Sequence, residues 1–321
     1  MFSPSDFVRQ RLRCPICASR IVMGEECRCT NERCATQFPI VDGVPVLISE
    51  KTSVFTFADF TEKRKTFFDP NANGRSVRER IARLLYENSS DLKAPSALST
   101  FARLVSTPSA MARVLIIGAG TNSEALAPLH TTASIELVAT DVSLNENVSI
   151  ICDGHDLPFD DETFDGVIAQ GVLEHVVDPY RCVDEMHRVL RRDGIVFSET
   201  PFIQQVHGGR YDFTRFTHLG HRRLFRRFEE IESGASAGPG LALSWSYQYF
   251  LISFVSSKTL KRAMRVFGKL TSFWWKYFDP YLIDRPGALD AASALYFLGR
   301  KSDTVFSDRQ LVDSYRGANQ R

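Results

Sequence analysis

Five of the seven cysteines fall between Cys14 and Cys34. Cys14-x-x-Cys17 offers two thiols from one turn, and Cys29 and Cys34 offer a second pair, so four thiolates can surround one tetrahedral ion. Cys27 competes with Cys29 for the third place, because residues two apart on a strand face the same way. A four-thiolate set leaves no open position. A zinc held there is therefore structural, replacing a core that so short a segment cannot bury. A second signature is Arg113-Val-Leu-Ile-Ile-Gly118-Ala-Gly120-Thr-Asn122, an apolar run ending in a glycine turn. Such a turn brings backbone N–H groups close to a ligand at a helix N-terminus. Asp141 ends the next apolar run, where an acid can accept from both hydroxyls of a ribose. Asp153-Gly154 follows the third run. A fourth signature is the polar and aromatic stretch from Glu199 to His218, with His207, Tyr211, Asp212, Arg215 and His218 as candidate acceptor-site residues. His207, Asp212 and His218, with His175 in Leu-Glu-His-Val, are the candidate general bases.

The elements that must position these residues alternate strand and helix, which predicts a doubly wound parallel α/β sheet. Strands are expected at 113–117, 135–139, 148–152, 163–169, 195–198, 228–233 and 293–300, with a helix over 123–129. The small cysteine-rich unit should occupy 1–50. A helical connector over 51–111 carries Phe55, Phe57, Phe60, Phe67 and Phe68, and a helix-spaced segment at 77–85 bears Arg78, Arg80 and Arg83. The α/β domain should fill 112–321, with a helical insertion at 238–291 before the last strand. A net charge of +1 over 321 residues gives no global attraction to nucleic acid. Residues 1–10 carry no apolar segment followed by a cleavage site, so a cytoplasmic location is expected. On the glycine turn and Asp141 alone, dinucleotide and S-adenosylmethionine sites are equivalent.

The later motifs separate them. Asp153-Gly-His-Asp-Leu157-Pro158-Phe159, then Phe164-Asp-Gly-Val167, then Gln170-Gly-Val-Leu-Glu-His175-Val-Val-Asp-Pro179 and Leu190-Arg-Arg-Asp-Gly194 follow in order. In that order they resemble the class I S-adenosylmethionine-dependent methyltransferases over about 113–232. The resemblance implies a seven-stranded Rossmann-like sheet. It implies that Gly118, Gly120 and Asn122 cradle the methionine part of S-adenosylmethionine and that Asp141 takes the ribose. Asp153, with the Gly154 backbone, takes the adenine, and Gln170 lies at the sulfonium end. Ile116 and Asn122 stand where the family places an acid and a third glycine. Residues 12–48, with Phe38-Pro-Ile-Val-Asp-Gly-Val-Pro-Val-Leu47, resemble the small zinc ribbons found with methyltransferases, which implies a partner- or substrate-docking role.

The insertion is uncharged from Ser233 to Ser257 and then basic, with Lys258, Lys261, Arg262, Arg265, Lys269 and Lys276 before the next acid at Asp279. Leu260, Met264, Phe267, Trp274 and Phe278 recur at helical spacing opposite most of these cations. Such a helix either packs on the core with its basic face in water or lies at a membrane interface through 258–278, at the inner membrane face. Runs like Tyr211-Asp-Phe-Thr-Arg215-Phe-Thr occur in methyltransferases of cell-surface glycans. The expected reaction is O-methylation of a glycan-related or lipid-linked small molecule. Two rivals are an RNA methyltransferase whose ribbon docks RNA, and a non-catalytic partner-binding module with a degenerate cofactor site. A nicotinamide-linked dehydrogenase gains no support after the third strand.

Overall fold

The computed structural model describes residues 5–24, 27–64, 66, 91–106, 110–120 and 126–319. Asn122, Phe67, Phe68 and the 77–85 segment with its three arginines lie outside the described residues. Near the N-terminus, β1 (Ile21–Met23), β2 (Cys27–Cys29) and β3 (Gln37–Phe38) form a small antiparallel sheet. β4 (Ile40–Val41) and β5 (Val44–Leu47) then form a hairpin closed by Asp42-Gly43. Both turn residues have positive φ, 50° and 81°, as a two-residue type I′ turn requires.

The remaining strands are β6 (Ala112–Ile117), β7 (Ile135–Asp141), β8 (Ile150–Cys152), β9 (Phe164–Gln170), β10 (Leu190–Pro201), β11 (Phe228–Ala237) and β12 (Ala294–Lys301). They join the hairpin in a nine-stranded sheet of order β11-β12-β10-β9-β6-β7-β8-β5-β4. From β10 to β5 the neighbours are parallel, whereas β12 runs antiparallel between β10 and β11. The expected seven strands are thus joined by two more. All four residues of β5 are buried, and a strand covered on both faces needs a sheet neighbour, which β8 provides. The tail of the cysteine-rich unit is built into the sheet of the larger domain.

Residues along β6 divide the core by strand alternation. Val114 and Ile116 pack with Leu98, Phe101 and Val105 of the helix Ala94–Val105. Leu115 and Ile117 face the other layer, with Val183 and Met186 of the helix Pro179–Val189. The cysteine-rich unit shares that second layer. Val8, Leu12, Ile21, Cys27 and Phe38 pack with Leu157 and Phe159, and the Arg13 N–H donates to the Pro158 carbonyl at 3.1 Å. Leu157-Pro158-Phe159 is therefore the ledge on which the cysteine-rich unit packs.

Between β11 and β12 the chain forms the helices Pro239–Ser253 and Lys258–Ser272, followed by shorter turns. Asp279 caps the first helix by accepting from the Gly240 and Leu241 N–H groups at 2.7 and 3.0 Å. A Cβ on Gly240 would lie 2.2 Å from the Trp275 carbonyl oxygen, so only glycine allows this closure. The two long helices meet through small residues, with Ser244 and Ser272 hydroxyls 2.8 Å apart. The outer surface of the insertion mixes apolar and basic side chains: Phe254 and Tyr281 are 73% and 79% exposed, and Leu260, Phe267, Trp274 and Phe278 face out along with Lys258, Lys261, Arg262 and Arg265. Among the described residues no helix is long and apolar enough to cross a membrane.

Candidate active site

The strand order reverses between β6 and β9, and a cleft of about 250 Å³ opens beyond their carboxyl ends. That is where open α/β sheets bind ligands. The glycine turn lines it, with Gly118 and Gly120 at φ +69° and +42°. A Cβ on Gly118 would come 2.5 Å from Val172 Cγ2, so the turn needs glycine for conformation and for space. Asp141 ends β7 and ties the turn down. Its Oδ2 accepts from the Gly120 N–H at 2.7 Å, and its Oδ1 accepts from the Ser143 N–H at 2.8 Å. The carboxylate has more lone pairs than these N–H groups use, which leaves room for a ligand hydroxyl. Burial pushes the Asp141 carboxyl up to about 6, against the lowering effect of those N–H bonds.

Asp153 and Gly154 line the same cleft after β8. Asp153 is held by the Ser53 hydroxyl at 2.6 Å and by the His155 ring and N–H at 2.5 and 3.0 Å. Burial would raise its pKa, but the bonds and charge of His155 and the Ser53 hydroxyl hold it below the ordinary value. Ser53, Val54 and Phe55 come from the segment just after the ribbon hairpin, and Phe55 packs on Tyr211 with ring centroids 5.5 Å apart. Val54, Phe55 and Tyr211 thereby wall the cleft. Ser53 carries no signal in the sequence for such a part. Phe55 stands out only as one of a crowd of aromatics.

Gln170 ends β9, lines the cleft, and donates to Glu199 Oε2 at 2.8 Å. Glu199 is fully buried; burial and then the negative charge of Asp91 push it up to about 8. Its signal in the sequence is an acid inside the apolar run of β10. His175 also lines the cleft. Its Nδ1 donates to the Tyr211 carbonyl at 2.7 Å, and its Nε2 lies 3.1 Å from His207 Nε2. Glu174, 2% exposed at its side chain, places Oε1 3.6 Å from His175 Nε2 and 3.8 Å from His207 Nε2. Burial pushes the Glu174 carboxyl up to about 7.

The four candidate bases therefore separate. His175 and His207 meet beside the cleft. Asp212 is a clamp: it accepts from the His207 and Gly208 N–H groups at 2.8 and 3.0 Å and pairs with the Arg215 guanidinium. Burial would raise its pKa, but these partners hold it far below the usual carboxylate range, so it is an anion committed to the loop. His218 lies elsewhere, bonded through Nε2 to Ser233 Oγ at 3.1 Å and approached by Arg316 at 3.1 Å. It does not line the cleft, because it begins the next helix and faces β11. The insertion helix holds the loop of His207 from outside, through Tyr249 Oη to the Val206 carbonyl at 2.9 Å and Gln205 to Ser246 at 3.1 Å.

In the cysteine-rich unit, the Sγ atoms of Cys14, Cys17, Cys29 and Cys34 all lie within 4.8 Å of one another. Cys17–Cys29 and Cys14–Cys34 are 3.4 and 3.8 Å apart, near the sulfur spacing of a tetrahedral zinc–thiolate site. Cys27 is outside this group. It sits at the core end of β2 opposite Phe38, where burial pushes its thiol up to about 11.

Residues 115–198 match the methyltransferase-domain family. The chain is 37% identical over 110 residues to a demethylmenaquinone methyltransferase of Clavibacter sepedonicus, covering 30% of this chain and 44% of that protein. It thus spans less than half the length of this curated relative. Among solved structures, a sarcosine dimethylglycine methyltransferase assigned from Galdieria sulphuraria superposes with TM-score 0.42 at 14% identity, over 70% of this chain and 98% of the other. A methyltransferase of Haloferax volcanii, solved with its Trm112 activator, gives TM-score 0.41 at 19% identity, over 70% and 95%. Residues 115–198 thus carry the likeness to a methyltransferase domain, and the glycine turn and Asp141 of the cleft fall within them.

Proposed function

We propose that the protein transfers the methyl group of S-adenosylmethionine to a hydroxyl oxygen of a lipid-linked or glycan-related small molecule at a membrane surface. The observation that carries the reading is the cradle of Gly118, Gly120 and Asp141 opening onto the Glu174–His175–His207 cluster. When bound, the cofactor supplies a methyl already activated by its sulfonium. The protein's own work is alignment and water exclusion. Gly118 and Gly120 hold the methionine part, Asp141 the ribose, Asp153 with Gly154 the adenine, and Gln170 the reactive end. Phe55, Val54 and Tyr211 shield the cleft. The acceptor hydroxyl loses its proton toward the Glu174–His175–His207 cluster, and Asp212 and Arg215 keep the His207 loop in place.

The membrane part of the proposal rests on the insertion. Its exposed Leu260, Val266, Phe267 and Leu270 lie on the same helix as Lys261, Arg262, Arg265 and Lys269, and Phe254, Trp274 and Tyr281 are exposed in the flanking segments. An aromatic and basic surface of that kind suits an anionic bilayer face. The curated relative is named for a demethylmenaquinone acceptor. We assign Cys14, Cys17, Cys29 and Cys34 a structural zinc, which would fix the ribbon and, through its tail, the Ser53–Phe55 wall. The ribbon surface remains available to a protein partner. The test is transfer of labelled methyl from the cofactor into lipid, glycan and RNA fractions of a cell extract. Label in lipid or glycan supports the reading; label confined to RNA overturns the acceptor class.

A further inference from the structure

Glu174 and His175 follow β9, and His207 arrives from the loop after β10, yet one ligand atom of each converges on a single point. The three separations are 3.1, 3.6 and 3.8 Å. The circle through these atoms has a radius of about 2.0 Å, the bond length from a first-row metal ion to imidazole nitrogen or carboxylate oxygen.

The orientation of the rings points the same way. His175 Nδ1 faces the Tyr211 carbonyl at 2.7 Å, and His207 Nδ1 faces the Gln205 carbonyl at 3.3 Å. A carbonyl only accepts, so the His175 ring carries its proton on Nδ1 and turns its Nε2 lone pair toward His207 Nε2 at 3.1 Å, while His207 Nδ1 also lies 3.4 Å from the Arg215 guanidinium. The His175 lone pair and the Glu174 carboxylate oxygen converge there with His207 Nε2, and a positive ion between them would offset their repulsion. Histidines that bind metal are oriented in this way, by a carbonyl behind the second ring nitrogen. Glu174 is 1% exposed, and its Oε2 has no hydrogen-bond partner among the described residues.

We infer that Glu174, His175 and His207 form a binding site for a divalent first-row transition-metal ion at the edge of the cofactor cleft. Two nitrogens and one carboxylate oxygen suit zinc, iron, cobalt or manganese, and the mixed set distinguishes this site from the all-thiolate one in the ribbon. Three protein ligands leave coordination positions open. His175 lines the cofactor cleft, so those positions adjoin the place where the acceptor enters. An ion there would take the oxygen of the acceptor and lower its pKa. That role rests on the transferase reading; the binding of the ion does not.

The experiment is titration of the full chain, its ribbon already loaded with zinc, with Co²⁺ alone and without cofactor. The expected result is one further equivalent of Co²⁺, giving weak visible bands and no sulfur-to-cobalt charge-transfer band. His207→Ala, on a half-exposed loop and so expected to fold, should weaken this binding at least tenfold, and Glu174→Gln should do the same. Thermal melts of the metal-free variants check that each is folded. No further equivalent, a thiolate-type spectrum alone, or unchanged affinity in His207→Ala would overturn the inference. A chain that binds Co²⁺ here but not S-adenosylmethionine would retain this site and lose the transferase reading, and the reverse result would lose only the site.

Discussion

Replacing Gly118 by alanine tests the cradle at its tightest point. Gly118 sits at φ +69°, a region that costs a residue with a Cβ about 1–2 kcal/mol. The new methyl would also lie 2.5 Å from Val172 Cγ2, on a stiff β-branched side chain that has no flexible end to move. Overpacking of that kind costs about 1–3 kcal/mol. The two effects act on different atoms, so Gly118→Ala should lose about 2–5 kcal/mol, shared between global stability and the shape of the turn. Whatever is absorbed by the turn appears as weaker cofactor binding, at about 1.4 kcal/mol per tenfold. Urea unfolding and calorimetry with S-adenosylmethionine measure the two shares. Adding Val172→Ala should recover the contact share and leave the backbone share of about 1–2 kcal/mol. Full stability and affinity in Gly118→Ala, or no recovery in the double variant, would refute the argument.

Three further outcomes follow from the same geometry. Cys29→Ser should abolish zinc binding at the four-cysteine site and lower the melting temperature, whereas Cys27→Ser should keep it; zinc titration followed by metal analysis of both variants decides it. Glu199 titrates at about 8 in the folded chain against 4.5 for the ordinary group, so the folded state binds the extra proton between those values. Stability should therefore fall as pH rises through that window, and Glu199→Gln should flatten the slope by up to about 1.4 kcal/mol per pH unit, read from urea midpoints. Changing Lys261, Arg262, Arg265 and Lys269 to glutamate should remove sedimentation with anionic phosphatidylglycerol vesicles while leaving the melting temperature within a few degrees. Equal sedimentation of the variant would count against membrane contact.

Much of the central sheet was legible because its residues have little choice. Val114 to Ile117 are apolar on both sides and stop at glycine, so a buried strand and a turn are forced together. The same holds for β9, whose Phe-Asp-Gly-Val run has a fixed place in the family order. β5 was harder to place. Val44–Leu47 reads as the end of a small ribbon, and only pairing with β8, about a hundred residues away, shows it to be a sheet strand. The acceptor side was legible in composition but not in roles. His207 and Asp212 are five residues apart, yet one faces Glu174 and the other is consumed by Arg215 and two backbone N–H groups. Spacing alone does not carry that distinction, because the 203–212 loop has no periodicity. Nor does it separate Cys27 from Cys29, which share a strand face and differ only in distance from the knuckle.

The central claim is that the cleft at the ends of β6, β7 and β9 holds S-adenosylmethionine. Calorimetric titration of the full chain with that cofactor tests it most directly, with Asp141→Asn measured alongside. One equivalent bound by the natural chain and at least tenfold weaker binding by Asp141→Asn is the predicted result. Absence of binding by the natural chain, or equal affinity in the variant, would contradict it.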